Sequence, residues 1–189
     1  PWLDLTGAAR PAGRTDPMLR PAWLQRCAAA FTGGADPGAP QFAPLNIHEV
    51  LERARNLVLA EFPDGIRIER DYDASLPDLH GDKEQLIQAL LNIVRNAAQA
   101  LNGKGEIEFR TRAARQVTLA KQRYKLALEL QVIDNGPGIA EELRERIFYP
   151  LVSGRDGGSG LGLTLSQTFV QHHHGTIECD SKPGRTCFT

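Results

Sequence analysis

A glycine-rich stretch near the carboxyl end of the chain has the composition of a phosphate-binding loop. The residues GGSGLGL, 157–163, run into an apolar pattern that predicts a helix over Leu161–His172. Glycines at a helix start expose backbone N–H groups beside the positive end of the helix dipole, and both favour a phosphate chain. Flexible turns have the same composition. The stretch is not a Walker loop, because no Gly-Lys-Ser/Thr follows, nor a dinucleotide fingerprint, because the flanking βαβ unit is missing.

Two asparagines lie four residues apart in LNIVRNAAQA, residues 91–100. On the helix that this segment predicts, Asn92 and Asn96 share one face at the edge of the apolar stripe. Amides at such a place need hydrogen-bonding partners, so a bond from helix to loop is one interpretation. The other is that an amide oxygen is a hard, neutral ligand for Mg²⁺, which keeps several waters and takes further ligands from substrate phosphates.

The sequence DNGPGI, Asp134 to Ile139, directly follows an apolar strand-like run. The Asp134 carboxylate therefore lies where the strand leaves the core and can accept a hydrogen bond from an exocyclic amine such as that of adenine. Gly136 and Gly138 would let the backbone lie against a flat ring, where a Cβ would collide. A plain Asn-Gly-Pro-Gly turn is the alternative interpretation.

The segment FYPLVSGRDGG, residues 148–158, mixes aromatic residues, proline and glycine without periodicity. This composition predicts a mobile lid, with Phe148 as its hydrophobic latch. Arg155 could reach a terminal phosphate, although a solvated charge is the commoner role of a lone arginine.

The elements that position these residues follow a regular order from Asn46 onward. Asn46 and Asp82 are predicted helix caps, each followed by helically spaced apolar residues. Strands are predicted over GIRIERDY, EIEFRTRAA, YKLALELQVID and GTIECDS, with a short helix near residues 140–146 and a last strand starting at TCFT. This order predicts an α+β fold, a two-layer α/β sandwich with helices covering one face of a mixed sheet.

The composition narrows the class of protein. Hydrophobic residues make up 41% of the 189 residues, and the net charge of −1 excludes a strongly basic nucleic-acid footprint. No apolar stretch reaches the roughly 18 residues that span a bilayer. Cys27, Cys179 and Cys187 indicate buried or incidental thiols in a reducing compartment. We therefore expect a cytoplasmic protein without nucleic-acid or membrane partners.

Residues 1–44 are expected to be a poorly structured linker with one short helix over Pro21–Phe31.

Taken together, NIVRNAAQA, DNGPGI, FYPLVSGR and GGSGLGL occur in an order that resembles the N, G1, F and G2 boxes of histidine-kinase ATP-binding domains. That family shares the Bergerat fold with gyrase B, Hsp90 and MutL, the GHKL superfamily. The resemblance covers residues 82–189. The sequences LLNIVRNAAQAL and HHHGTIECDSKPG are similar to those of nitrogen-regulation sensor kinases.

The resemblance implies ATP and Mg²⁺ as ligands. It implies that Asn96 ligates the metal and that Asn92 lies beside the phosphates. Arg155 on the predicted lid is expected to join them as a catalytic residue. Asp134 would accept from the adenine amine. The other expected nucleotide-binding residues are Gly136, Gly138 and Ile139 at the base, Phe148 on the lid, and Gly158, Gly160, Leu161 and Gly162 around the phosphates.

Two positions bear on the reaction. Hydrolytic members of the superfamily carry a glutamate four residues before the metal-binding asparagine, whereas here Asn92 cannot act as a general base. This favours phosphoryl transfer to a protein histidine over hydrolysis. Many kinases also carry a lysine where this chain has Gln99, so the cationic phosphate contact would come from Arg95 or Arg155.

The phosphoacceptor motif of the family, a His and an acid followed by Asn-Pro, is not found in this sequence. His48-Glu49 lies inside the first helix and is expected to have a structural or surface role. His172, His173 and His174 end a helix, where positive charge suits the dipole, and three consecutive residues do not form a metal site. Residues 45–189 are therefore expected to be a catalytic domain fragment whose last strand stops at Thr189 and leaves an unpaired sheet edge.

The expected partners are the dimerisation and phosphoacceptor domain, a response-regulator receiver domain and, as a further candidate, a PII-type signalling protein. The full-length protein is expected to be a homodimer and this fragment a monomer. Two alternatives stay open. One is a nucleotide-dependent interaction module without catalysis in this chain, and the other is a gyrase/MutL-type ATPase.

Overall fold

The computed structural model describes residues 2–4, 40–119, 122–152 and 160–189. Cys27 and the helix predicted over residues 21–31 lie outside them. The described strands are β1 Trp2–Asp4, β2 Ala43–Leu45, β3 Ile66–Asp71, β4 Leu79–Gly81, β5 Gly105–Leu119, β6 Gln122–Asp134, β7 Cys179–Lys182 and β8 Arg185–Phe188. The helices are α1 Ile47–Glu61, α2 Lys83–Ala100, α3 Glu141–Arg144 and α4 Gly162–His172.

The main sheet of the described residues has the order β3-β5-β6-β8-β7, and β1 pairs with β6 beside β8. β3 is parallel to β5, whereas the other neighbours are antiparallel. The sheet is therefore mixed, as predicted. β2 and β4 form a separate antiparallel pair. Because β8 is paired with β6 on one side and β7 on the other, the unpaired edge expected at the last strand is wrong for this part of the chain.

Both predicted helix caps are confirmed. The Asn46 side chain accepts a hydrogen bond from His48 N–H at 2.9 Å at the start of α1. Asp82 accepts one from Gln85 N–H at 3.1 Å at the start of α2. Each cap satisfies one of the amides that a helix start leaves without an intrahelical partner.

One face of the sheet is apolar and packs against the helices, and the other is charged. Phe109 of β5, Val50 of α1 and Val94 of α2 are fully buried at the contact. Burying each such side chain stabilises the fold by about 1.5–3 kcal/mol. Successive β5 residues point to opposite faces, and on the outer face Arg110 Nε donates to the Asp71 carboxylate at 3.1 Å. The predicted two-layer α/β sandwich is confirmed.

Several features were not anticipated from the sequence. The strands β1, β2 and β4 were missed, so the expectation of a poorly structured segment over residues 1–44 is wrong for Trp2–Asp4, which pairs with β6. β5 and β6 form a longer hairpin than the predicted strands over residues 106–114 and 124–134. β2 begins at Ala43, just ahead of the proposed domain boundary at residue 45, and the division itself stays a prediction. None of the described helices is long and apolar enough to cross a membrane.

Candidate functional site

α2 provides one wall of the candidate site. Asn92, Asn96 and Ala100 are spaced by four residues and so lie along one face of the helix. Asn92 contacts Gly162 at the start of α4. At the other end, a Cβ added to Gly136 would lie 3.8 Å from Ala100 Cβ. Asn96 therefore lies between the turn after β6 and the glycine turn before α4.

The Asn92 amide is buried and engaged at both ends. Its Nδ2 donates to Gly162 O at 3.0 Å, and its Oδ1 accepts from Gln88 Nε2 at 3.3 Å. The helix-to-loop bond considered from the sequence is thus present at Asn92. Asn96, one turn further along, is half-buried. Of the two amides, Asn96 is the more accessible to a ligand.

Asp134 ends β6 with its side chain on the core side of the sheet, 4% exposed. One carboxylate oxygen accepts a hydrogen bond from Gly136 N–H at 2.9 Å. A Cβ at Gly136 would lie only 2.7 Å from that oxygen, so a larger residue there would displace the aspartate carboxylate. A buried carboxylate fixed in this way is an oriented acceptor for an amine-bearing base.

Two hydroxyl residues beside Asp134 were not identified from the sequence. Thr186 is the cross-strand neighbour of both Asp134 and Ser181, so the three share one row across β6, β8 and β7. All three are at least 95% buried. Ser181 Oγ lies 3.0 Å from Thr186 Oγ1 and accepts from Ile139 N–H at 2.8 Å. The signal in the sequence was two polar residues on the inward positions of short strands.

Gly138 has a left-handed backbone, with φ +86°, and lies against the β7–β8 hairpin. A Cβ there would approach the Lys182 carbonyl carbon to 2.8 Å. On its Cβ side, Gly138 is therefore packed against the chain's own backbone, and its role at the base stays a prediction. Together with Ile139 N–H, this contact fixes the turn after Asp134 on the sheet.

The glycine turn before α4 is held by the segment that follows α3. Leu151 N–H donates to Gly160 O at 3.1 Å, and both residues are left-handed, with φ +65° and +64°. A Cβ at Gly160 would lie 2.6 Å from the Leu151 carbonyl carbon, which excludes any side chain. Within the described residues, no side chain caps the start of α4 and its first turn holds no acidic residue. Such a helix start favours an anion.

The remaining predicted site residues are placed as follows. Leu161 directly precedes α4, and Thr164 Oγ1 donates to Phe148 O at 3.1 Å. The Phe148 ring meets the Phe188 ring edge-on, with centroids 6.4 Å apart, which attaches the start of the predicted lid to the sheet. Arg155 and Gly158 lie outside the described residues.

The histidines differ in part from what the sequence suggested. His48 Nε2 lies 3.1 Å from Thr111 Oγ1 and its ring stacks on Tyr72, so its structural role is confirmed. The expectation of a positive charge at the end of α4 is wrong for His173. That ring is 4% exposed, and its burial lowers its pKa below the usual range. His172 faces Gln85 at 3.1 Å.

The structure also shows the surroundings of Arg95 and of two cysteines. Arg95 forms an ion pair with Glu61 of α1 at 2.7 Å, which directs its guanidinium toward α1. Cys187 is buried, and burial raises the pKa of the Cys179 thiol to about 12, so that thiol is un-ionised at neutral pH.

Residues 81–189 match the family described as "Histidine kinase-, DNA gyrase B-, and HSP90-like ATPase". Since this is more than half of the chain, the chain belongs to that family, and family membership implies that it binds ATP. The residues fit such a ligand, with an oriented carboxylate at one end of α2 and an anion-favouring helix start at the other.

Curated relatives are sensor kinases. The chain is 54% identical over 145 residues to the "Sensory histidine kinase/phosphatase NtrB" of Salmonella typhimurium, an overlap of 76% of this chain and 42% of that protein. The chain thus spans about two fifths of the relative's length.

Solved structures agree with the fold. The mycobacterial sensor histidine kinase MprB is 27% identical with a TM-score of 0.64, and the match covers 78% of this chain and 94% of MprB. Histidine kinase ThkA, solved in complex with the response regulator protein TrrA, has a TM-score of 0.62 at 21% identity, covering 88% of this chain and 46% of ThkA.

Proposed function

We propose that this chain is the ATP-binding catalytic part of a nitrogen-regulation sensor histidine kinase of the NtrB type. It binds Mg·ATP and places the γ-phosphate for transfer to a histidine on a separate dimerisation and phosphoacceptor segment. The observation that carries the proposal is the placement of Asn92, Asn96 and Ala100 along α2, with the glycine turn at one end and the Asp134 turn at the other.

Each end of the site suits one end of the nucleotide. Asp134 accepts from the exocyclic amine of the base, beside the turn that Gly136, Gly138 and Ile139 form. The backbone N–H groups at Gly160–Gly162 and the start of α4 bind the phosphates. Asn96 would hold Mg²⁺, which neutralises phosphate charge when bound.

The transfer itself depends on positioning. An imidazole nitrogen of the acceptor histidine attacks the γ-phosphorus in line, the bond to the β–γ bridging oxygen breaks, and ADP leaves. A hydrolase would need a general base to activate water. The Asn92 amide is not a base, and it is engaged with Gly162 and Gln88. This favours transfer to histidine over hydrolysis.

The proposed setting follows from the kinase assignment. The kinase acts in the cytoplasm as a homodimer through its dimerisation segment, and the phosphate is relayed to a response-regulator receiver domain. ThkA, a fold neighbour, was solved with such a regulator. A PII-type protein is a further proposed partner, in keeping with the nitrogen-regulation relative.

The direct test supplies this chain with Mg·ATP carrying a labelled γ-phosphate and an NtrB-type dimerisation and phosphoacceptor segment. Label is expected on the histidine with the wild type and to be lost with Asp134→Asn and with Asn96→Ala. Asp180→Asn, on the exposed side of β7, is the matched control and is expected to transfer normally.

Full transfer by either site variant would contradict the site assignment. Tight ATP binding without transfer to any supplied segment would favour an interaction module. Steady ATP hydrolysis by the chain, abolished by Asn92→Ala, would favour the gyrase/MutL-type ATPase.

A further inference from the structure

Polar contacts connect α2 and α4 at four levels along their packing seam. From the glycine turn to the far end, the pairs are Asn92–Gly162 at 3.0 Å, Ala89–Ser166 at 3.0 Å, Gln85–His172 at 3.1 Å and Asp82–His173 at 2.8 Å. Residue numbers fall along α2 as they rise along α4, so the helices are antiparallel. We call this set of four pairs the α2–α4 seam.

His173 closes the seam at the end far from the glycine turn. Its Nδ1 lies 2.7 Å from Phe169 O, which can only accept, and its Nε2 lies 2.8 Å from Asp82 N–H, which can only donate. The two contacts together define the neutral tautomer with the proton on Nδ1. A Cβ at Gly81 would come within 2.9 Å of the ring, so the imidazole has little freedom to shift. One ring therefore ties the end of α4 to the cap of α2.

Ser166 holds the seam nearer the site. It is fully buried, and its Oγ lies 3.0 Å from both Ala89 O on α2 and Gly162 O at the glycine turn. The Gly162 carbonyl also accepts from Asn92 Nδ2. The last glycine of the turn is therefore fixed by polar groups from both helices.

Directional contacts of this kind specify the register of one helix on another. Apolar side chains can slide past each other by a small distance at little cost, whereas a displaced buried hydrogen bond loses its partner. α4 is a continuous hydrogen-bonded helix from Gly162 to His172, so a register set at its end also sets the position of its start.

We propose that Ser166 and His173 are positioning residues for phosphate binding, fixing α4 on α2 and with it the glycine turn at Gly160–Gly162. This inference rests on the proposed function, because it assumes that the phosphates of ATP bind at that turn. The phosphate side of the site is then positioned by α4, whereas the base side is held by the β7–β8 hairpin.

The seam also has a defined pH response. The titratable groups near His173 are Asp82 on α2, His172 and His174 on its own segment, and His80 of β4, which stacks on Phe42 beside the ring. Protonation would place an N–H on Nε2 against Asp82 N–H and break that contact. Because burial lowers the pKa of His173, the Asp82–His173 pair is intact at neutral pH and is lost as the pH falls through that lowered pKa.

The experiment compares the affinities of the full chain for Mg·ATP and for adenosine, which lacks phosphates. Ser166→Ala and His173→Ala are each expected to weaken Mg·ATP by about three- to tenfold, the equivalent of one hydrogen bond, while adenosine affinity stays unchanged. His173→Gln, whose amide oxygen can accept from Asp82 N–H, is expected to restore Mg·ATP affinity and to remove its loss at acid pH. His174→Asn, at the exposed neighbour, is the matched control.

If the variants lose affinity for Mg·ATP and for adenosine in parallel, the role of these residues is purely structural and the inference is overturned. A lower melting temperature with an unchanged ratio of the two affinities would mean the same. If His173→Ala does not fold, Ser166→Ala decides the question alone. A wild type that binds adenosine but not Mg·ATP would contradict the proposed function as well, whereas normal Mg·ATP binding by all variants contradicts only the positioning role.

Discussion

The turn at residues 134–139 and the turn at residues 160–162 both depend on glycine, but different parts of the molecule hold them. The first is attached to the sheet, where Ser181 accepts from Ile139 N–H and the hairpin backbone lies against Gly138. The second is attached to a helix pair, through Asn92 and Ser166.

The two ends of the proposed ligand site can therefore be perturbed separately. Sheet pairing couples the first turn to the global fold, because the buried row Asp134–Thr186–Ser181 runs across β6, β8 and the edge strand β7. The second turn moves with α4. Substitutions near the first turn should therefore affect stability and base binding, and those near the second should affect phosphate binding.

At the first turn, the largest loss of stability is expected for Gly138→Ala. A left-handed backbone costs an L-residue about 1–2 kcal/mol, and the clash with Lys182 backbone at 2.8 Å adds to it. We expect the free energy of unfolding to fall by about 2–4 kcal/mol in denaturant titrations.

Gly184→Ala is the matched control for that substitution. Gly184 has φ +83°, but a Cβ there meets nothing within 4 Å. Only the backbone term applies, so a loss of about 1–2 kcal/mol is expected. Equal losses at the two positions would show that the hairpin contact contributes nothing.

Ser181→Ala is expected to weaken ligand binding at the first turn. It removes the acceptor for Ile139 N–H and the partner of Thr186 Oγ1. We expect adenosine and Mg·ATP to weaken together, by about three- to tenfold in equilibrium binding. The contrast is with Ser166→Ala, which should weaken Mg·ATP alone. Identical binding profiles for the two serine variants would mean that the two sides of the site are not separable.

The smallest effect is expected outside both turns, at His48. Burial is the main reason that the pKa of His48 lies below its usual range, and Asp73 and Glu52 oppose the shift. The folded state therefore prefers the neutral ring, a contribution that is present above the ordinary histidine pKa of about 6.5 and lost as the pH falls through the lowered value. In His48→Gln, the free energies of unfolding measured at pH 7.5 and at pH 5.5 should differ less than they do in the wild type. An unchanged pH dependence would exclude His48 as a contributor.

Local sequence patterns predicted most helices and strands and the face of α2 that carries the site asparagines. Caps at Asn46 and Asp82 are properties of three or four neighbouring residues, and the sequence shows them directly. The α2 face that carries Asn92 and Asn96 follows from helical spacing alone. The β5–β6 hairpin was predicted too short, because apolar residues are few between 115 and 123 and cross-strand pairing extends the strands.

Long-range contacts account for what the sequence could not show. His173 looked like a charged residue at a helix end, but burial lowers its pKa, and its Nε2 accepts a hydrogen bond from Asp82 N–H, 91 residues away. Gly138 looked like part of a ring-binding surface, and the atoms that exclude its Cβ belong to Lys182 and Pro183. Thr186 and Ser181 carry no motif of their own, and they become notable only in register with Asp134.

The bond from Leu151 N–H to Gly160 O has a consequence for how this family can vary. It holds together two points on either side of residues 153–159. Changing the length of a segment whose ends are already joined costs little, since loop-closure free energy grows only with the logarithm of length. Insertions between the two bonded residues should therefore leave the start of α4 in its place. Natural variation in length, or an inserted reporter peptide, can be accommodated there more readily than in either glycine turn.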